Sequence, residues 1–162
     1  MKITLERFKH LANASEETVC FEALVCFDGK PAFIATNTGR GGCNDYSPLP
    51  RQNRDQMRAN LLLLEDHVKT LPPEVLAGGR SVPVDVELFL ALLVDREILA
   101  KALQRKLKRS LLFTATDRPG LFGLKAPASE AAYAQLRLKH KAAIILNGLP
   151  FEEALALYEK HG

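Results

Sequence analysis

The chain has 162 residues, of which 47% are hydrophobic and 25% are charged, a balance that excludes intrinsic disorder and is typical of a globular domain. Its net charge of +3 is too small to make nucleic acid an expected partner, and no apolar run approaches the roughly 20 residues that cross a bilayer. The N-terminal residues alternate and carry charge, unlike a signal peptide, so we expect a cytoplasmic protein without membrane association.

The N-terminal part is predicted to begin as antiparallel sheet. Ile3 and Leu5 alternate with polar residues, as in a half-buried strand. Two β-favouring runs, 19–27 and 32–35, are joined by an Asp28-Gly29 pair. This pair is a strong hairpin signal, because its backbone twist suits a tight turn between strands.

Two helices are predicted next. Residues 53–70 place apolar side chains at alternating steps of four and three, which is the stripe of an amphipathic helix, and Pro72-Pro73 ends it. The longest element is predicted over 85–109, with Asp85 as its N-cap. The first part of this helix is apolar nearly all the way round except at Glu87, which predicts a central buried position or a surface for a partner.

The C-terminal part is predicted as a second hairpin followed by a helix, a strand and a helix. Apolar runs at 111–115 and 121–125 flank a turn at 117–120, which contains a Pro-Gly pair. The three elements after this hairpin are expected at 128–140, 143–146 and 150–160.

Hairpins and helices in this order predict an α+β fold rather than a doubly wound parallel sheet. We expect one domain over 1–162, with an N-terminal hairpin region at 1–50 and a helical and second-hairpin region at 51–162. In this architecture an antiparallel sheet built from the two hairpins packs with about four helices, one of them long and central.

The most distinctive motif is Asn37-x-Gly39-Arg40-Gly41-Gly42-Cys43-Asn44, directly after a predicted strand. It lacks the Gly-Lys-Ser/Thr of a P-loop, and its glycine spacing differs from the dinucleotide-binding fingerprint. Successive N–H groups in a glycine-rich turn can hold an anion, and Arg40 would add a bidentate contact to phosphate or carboxylate. The alternative is a tight turn whose asparagines satisfy local backbone groups. The predicted ligand-binding residues are Asn37, Gly39, Arg40, Gly41, Gly42, Asn44 and Tyr46.

A second candidate is a basic patch near the C-terminal end of the long helix. Cations recur there every four residues along one face, where they would contact phosphates or an acidic protein. The alternative is structural, since cations at a helix C-terminus complement the dipole and face water. The basic patch consists of Lys101, Arg105, Lys108 and Arg109.

The sequence carries no metal or cofactor signature. Cys20, Cys26 and Cys43 are odd in number and lack C-x-x-C spacing, and the scattered histidines lack ligand spacing. We therefore expect no metal, no cofactor and no disulfide framework. Cys43 is a candidate nucleophile, since the neighbouring Arg40 would favour its thiolate.

Several segments form a recognisable set: Ser15-Glu16-Glu17-Thr18 with Cys20-Phe21, the Asp28-Gly29-Lys30 turn, the glycine-rich motif, and Ile145-Leu146-Asn147-x-Leu149-Pro150 before Glu152-Glu153-Ala154. Together they resemble a family of small uncharacterised proteins from phages, prophages and bacterial mobile elements. That family has no established activity or catalytic residues. The resemblance therefore implies only a context, an accessory protein in the cytoplasm of a bacterial host, where host-interaction and anti-defence roles are common.

These patterns lead to the hypothesis of a non-catalytic, phage-type accessory or binding protein. Through its Gly/Arg loop it would hold a phosphate-bearing ligand such as a nucleotide, or a host protein, as an anti-defence factor would. Two alternatives stay open. One is a protein–protein inhibitor or the subunit of a homo-oligomeric assembly, and the other is a small enzyme that uses Cys43.

Overall fold

The computed structural model describes residues 1–76, 78–115, 118–140 and 142–161. These residues form an α+β fold with four α-helices, which confirms the predicted fold class. Contacts divide the chain into two compact units, Met1–Glu97 and Ile98–Gly162, so each unit is described by itself. The expected single domain over 1–162 stays a prediction.

The first unit contains an antiparallel four-stranded sheet in the order β1-β2-β3-β4. Within it, the predicted hairpin is confirmed, because β2 and β3 pair around a turn in which Asp28 and Gly29 have φ values of +48° and +78°. The sequence placed the last of the four strands in a loop, because so short a strand has no periodicity to detect. The strands are β1 (Ile3–His10), β2 (Phe21–Phe27), β3 (Lys30–Asn37) and β4 (Asp45–Ser47).

Helix α1 (Arg54–Val68) lies where the amphipathic stripe predicted it. It begins with a reciprocal capping box, in which the Asn53 side chain accepts from the Gln56 backbone N–H and the Gln56 side chain accepts from the Asn53 backbone N–H. Its buried residues are Met57, Leu64 and Val68. The Asn60 side chain donates to the Ala32 carbonyl oxygen at 2.9 Å, which ties the helix to β3.

The long helix α2 (Val86–Leu107) follows a small hairpin of β5 (Glu74–Val75) and β6 (Ser81–Val82). Asp85 caps it as predicted, since its carboxylate accepts the Leu88 N–H at 2.8 Å. The predicted apolar start is only partly buried. Leu90 and Val94 are fully enclosed, whereas Leu92 is 38% exposed. Among the described residues, no helix has both the length and the apolar character needed to cross a bilayer.

The second unit contains a three-stranded sheet in the order β8-β7-β9. The second hairpin is thereby confirmed, and it lies in a different sheet from the first; Asp117 in its turn lies outside the described residues. Asn147 joins this sheet to the end of α2, because its side chain donates to the carbonyls of Leu107 and Ser110, both at 3.0 Å. The elements are β7 (Leu111–Ala115), β8 (Arg118–Leu124), α3 (Glu130–Lys139), β9 (Ile144–Ile145) and α4 (Phe151–His161).

Candidate ligand-binding site

The glycine loop, residues 38–44, connects β3 to β4 and has a backbone that demands glycine. Gly39 and Gly41 have φ values of +84° and +85°, a region that side chains with a Cβ rarely adopt. Close contacts add a second constraint. A Cβ on Gly39 would overlap the Ala14 carbonyl oxygen, and one on Gly41 would overlap the carboxylate of Glu17. The loop is therefore held tightly against residues 14–17.

Asn37, at the end of β3, is the centre of the loop's hydrogen-bond network and is only 8% exposed. Its Oδ1 accepts from the Thr18 hydroxyl at 2.6 Å and from the Gly39 N–H at 2.9 Å. Its Nδ2 donates to Asn44 Oδ1 at 3.1 Å and to the Gly42 carbonyl at 3.4 Å. Both ends of the amide are thus satisfied, as a buried polar side chain requires.

Several backbone amides in and around the loop bond to the protein itself. The Gly39 carbonyl oxygen accepts from three successive N–H groups, those of Glu16 and Glu17 at 2.9 Å and that of Thr18 at 3.3 Å. Three consecutive amides converging on one oxygen form the kind of nest that holds anions. Here the nest is filled by a carbonyl of the glycine loop. The Gly39 and Gly41 amides donate to Asn37 and to the Thr18 hydroxyl respectively.

Glu87, in the first turn of α2, ties the far end of the loop to the helix. Its carboxylate accepts from the Asn44 N–H at 2.9 Å and from the Tyr46 hydroxyl at 2.5 Å. The positive end of the helix dipole favours a carboxylate at this position. Burial of the ring, together with the hydrogen bond to Glu87, raises the pKa of Tyr46 above its ordinary value.

These contacts border a pocket of about 370 Å³, called the loop pocket below. One part of its lining is polar and the other is apolar, and both parts belong to the first unit. Among the described residues that line it, none carries a positive charge. They are Thr18, Val19, Phe21, Asn37, Gly42, Asn44, Glu87, Leu88, Ala91, Val94 and Asp95.

The loop pocket holds two carboxyl groups, those of Glu87 and Asp95. Asp95 as a residue is exposed, yet partial desolvation of its carboxyl group raises its pKa. The sequence did not single out either residue as part of a site. For Glu87 a signal was present, since it is the lone charge in the apolar stretch 86–94.

The predicted ligand-binding residues separate into four groups. Asn37, Gly42 and Asn44 line the loop pocket, and Gly39 and Gly41 serve the loop's own backbone. Arg40 is exposed and is not among the lining residues. Tyr46 lines a second pocket of about 540 Å³, which it shares with Glu87.

The basic patch lies in the second unit. Its members Lys101, Arg105, Lys108 and Arg109 are all exposed. Arg105 Nε donates to the Lys101 carbonyl at 3.3 Å, within the helix. The last two members follow Leu107, where α2 ends, so the helical row is shorter than the sequence predicted. Cys43, the candidate nucleophile, is exposed in the glycine loop.

Comparisons with known protein families, with curated proteins and with solved structures found no match. The resemblance to phage and mobile-element proteins therefore stays a prediction. In the described part of the chain, no group of three or more His, Cys, Asp or Glu side chains is placed to hold a metal ion.

The raised pKa of Tyr46 leads to a prediction about alkaline stability. Because the folded pKa lies above the unfolded value near 10, the contribution of Tyr46 is complete below about pH 10 and is lost as the pH rises towards the folded pKa. The slope should stay below about 1.4 kcal/mol per pH unit, the limit for one proton, because the unfolded tyrosine is only partly ionised near pH 10. Urea unfolding of the native protein and of Tyr46→Phe, from about pH 9 to 11, measures this difference. Parallel pH profiles for the two proteins would contradict it.

Proposed function

We propose that the protein is a non-catalytic binding protein whose loop pocket holds a small polar molecule. The observation that carries this proposal is the convergence of Asn37, Asn44, Thr18 and Glu87 on one pocket that is also lined by apolar side chains. Small-molecule sites have this composition, because the apolar lining supplies affinity and a few polar groups fix orientation. In the loop pocket, hydrogen bonds between Asn37 and Asn44 and between Asn44 and Glu87 hold these polar groups in place before any ligand binds.

The residues that line the loop pocket favour a ligand other than the phosphate-bearing one that the sequence suggested. A phosphate-bearing ligand would use the loop amides and Arg40, but the amides of Gly39 and Gly41 are hydrogen-bonded inside the protein. The two carboxyl groups of the loop pocket repel anions. A phage-type or anti-defence role rests on the sequence resemblance alone and remains part of the proposal only as a context.

The two alternative functions, a protein–protein inhibitor or oligomer subunit and a small enzyme, have less support. A protein–protein inhibitor or oligomer subunit would use the apolar start of α2, where Leu92 is 38% exposed. Single exposed leucines are common on protein surfaces and do not define an interface. An enzyme using Cys43 would need a base beside an exposed thiol, and Cys43 is not among the residues that line the loop pocket.

Filling the loop pocket tests the proposal. We expect Ala91→Phe to weaken binding of pocket ligands at least about tenfold, because the ring would occupy the space between Glu87 and Asp95. Ligands are first found by ligand-observed NMR with a library of amines, carboxylates, nucleotides and sugars. Dissociation constants are then measured by calorimetry for the native protein and the variant.

Two further variants serve as controls. Ala59→Phe makes the same change at an exposed position of α1 and should leave binding unchanged. Arg40→Ala should also leave it unchanged, whereas a phosphate site built on the glycine loop would lose its ligand. A library without a single binder, or equal losses in Ala91→Phe and Ala59→Phe, would refute the proposal.

A further inference from the structure

One row of side chains on α2 runs along the loop pocket. Glu87, Ala91 and Asp95 follow one another at intervals of four residues, which places them on one face of the helix, and all three line the pocket. With a rise of 1.5 Å per residue, the Cα atoms of the two acidic residues lie about 12 Å apart. The pocket wall therefore carries two carboxyl groups whose backbone positions are held a fixed distance apart.

The helix surface between the two carboxyl groups is apolar, and the residue at its middle has a small side chain. Ala91 has the smallest side chain in the row, so it leaves room between Glu87 and Asp95. Leu88 and Val94 flank this space and also line the pocket. A hydrocarbon chain lying there would be removed from water along apolar side chains, which is favourable in proportion to the area covered.

Both carboxylates can accept further hydrogen bonds. Glu87 uses one acceptor position on each oxygen, for the Asn44 N–H and the Tyr46 hydroxyl. An ionised carboxylate offers about four acceptor positions, so two remain for a ligand. At the other end of the row, the carboxyl group of Asp95 is partly desolvated, a cost that a neighbouring cation would offset.

We propose that the loop pocket binds a linear molecule with a positively charged amine at each end and an apolar chain between them, the chemistry of a long aliphatic diamine. This inference rests on the proposed function and names the ligand class for the same site. One ammonium group donates to Glu87 and the other to Asp95, and the methylene chain lies over Ala91 between Leu88 and Val94. Charge-assisted hydrogen bonds of this kind are stronger than neutral ones.

Octamethylenediamine, an eight-carbon chain with one amine at each end, is the probe that tests this inference, at constant ionic strength because charge attraction is screened by salt. We expect saturable shifts of the backbone amides of Asn44 and Ala91 in NMR spectra of the isotope-labelled protein. Octylamine, which has one cation, should bind at least about tenfold more weakly, since one charge-assisted contact is lost. Suberate, a dicarboxylate of similar length, should leave these amides unshifted.

Matched carboxamide variants separate the two ends of the site from general charge attraction. Asp95→Asn should weaken octamethylenediamine binding about tenfold, and Asp95 takes no part in the hydrogen bonds of Asn37, Gly41 and Asn44 that hold the glycine loop. Asp66→Asn removes one negative charge from the exposed surface of α1 and should leave the dissociation constant unchanged. Equal losses in the two variants would show nonspecific attraction and overturn the inference.

The outcomes also distinguish this inference from the proposed function. If suberate or a nucleotide bound at the loop pocket and octamethylenediamine did not, the inference of a diamine ligand would be overturned, whereas the proposed binding function would stand. If neither octamethylenediamine nor any library compound shifts the pocket amides, the proposed function fails as well. Shifts by octamethylenediamine that are confined to other parts of the protein would likewise overturn the inference.

Discussion

Replacing Gly39 with alanine is expected to lower the free energy of unfolding by about 3 kcal/mol, the largest effect of any single methyl group added to the glycine loop. Two costs combine at this position. The backbone has a φ of +84°, and the added Cβ would overlap the Ala14 carbonyl oxygen and lie 2.8 Å from the Cβ of Cys20. Backbone atoms cannot move aside as a flexible side chain can. Urea denaturation followed by circular dichroism measures the loss.

Gly42→Ala is the matched control, because it shares the backbone conformation without the crowding. Its φ is +87°, and no atom lies within 4 Å of the position of an added Cβ. We expect a loss of about 1 kcal/mol, the cost of the left-handed conformation alone. If both variants lost the same free energy, the close packing of Gly39 against residues 14 and 20 would contribute nothing to stability.

Removing the amide of Asn37 is expected to cost about 3 kcal/mol, because Asn37→Ala abolishes four hydrogen bonds at a nearly buried site. The Gly39 N–H and the Thr18 hydroxyl would lose their shared acceptor, and the hydrogen bond of the Gly39 N–H is buried. The same urea experiment measures the effect. Amide hydrogen exchange should show faster exchange at Gly39 than in the native protein.

Asn60→Ala supplies the comparison for the same chemical change. The Asn60 side chain makes one described hydrogen bond, to the Ala32 carbonyl oxygen at 2.9 Å, so we expect a loss of about 1 kcal/mol. A loss at Asn37 no larger than that at Asn60 would mean that the network around the glycine loop adds no stability beyond one ordinary hydrogen bond.

The fold was largely predictable because the sequence patterns that determine its hairpins and helices extend over only a few neighbouring residues. The Asp28-Gly29 turn determines its own hairpin, and the cap at Asp85 determines where α2 begins. The elements that escaped prediction are the short strands β4, β5 and β6. Each contains too few residues for alternation to appear, and pairing with a neighbouring strand is what makes them strands.

The candidate site was predictable only in part. The glycine-rich motif directed attention to a region in which Asn37 and Asn44 line a pocket. The sequence weighted the chemistry of the site towards Arg40, because an arginine between glycines suggests anion binding whenever its surroundings are unknown. The hydrogen bonds that join Gly39 and Gly41 to residues 16–18 involve a different segment of the chain, so the sequence alone did not reveal them.

The sequence by itself determined the α+β class, the hairpins, the helices and the need for glycine in the loop, because turn chemistry, periodicity and capping act over a few residues. The tertiary structure alone decided what the loop faces. Glu87 lies 43 residues from Asn44 and 41 from Tyr46, yet its carboxylate bonds to both. Packing of α2 beside the loop brings these groups together, and with them Asp95. That packing places carboxylates in the pocket beside a motif that, in isolation, suggested a site for anions.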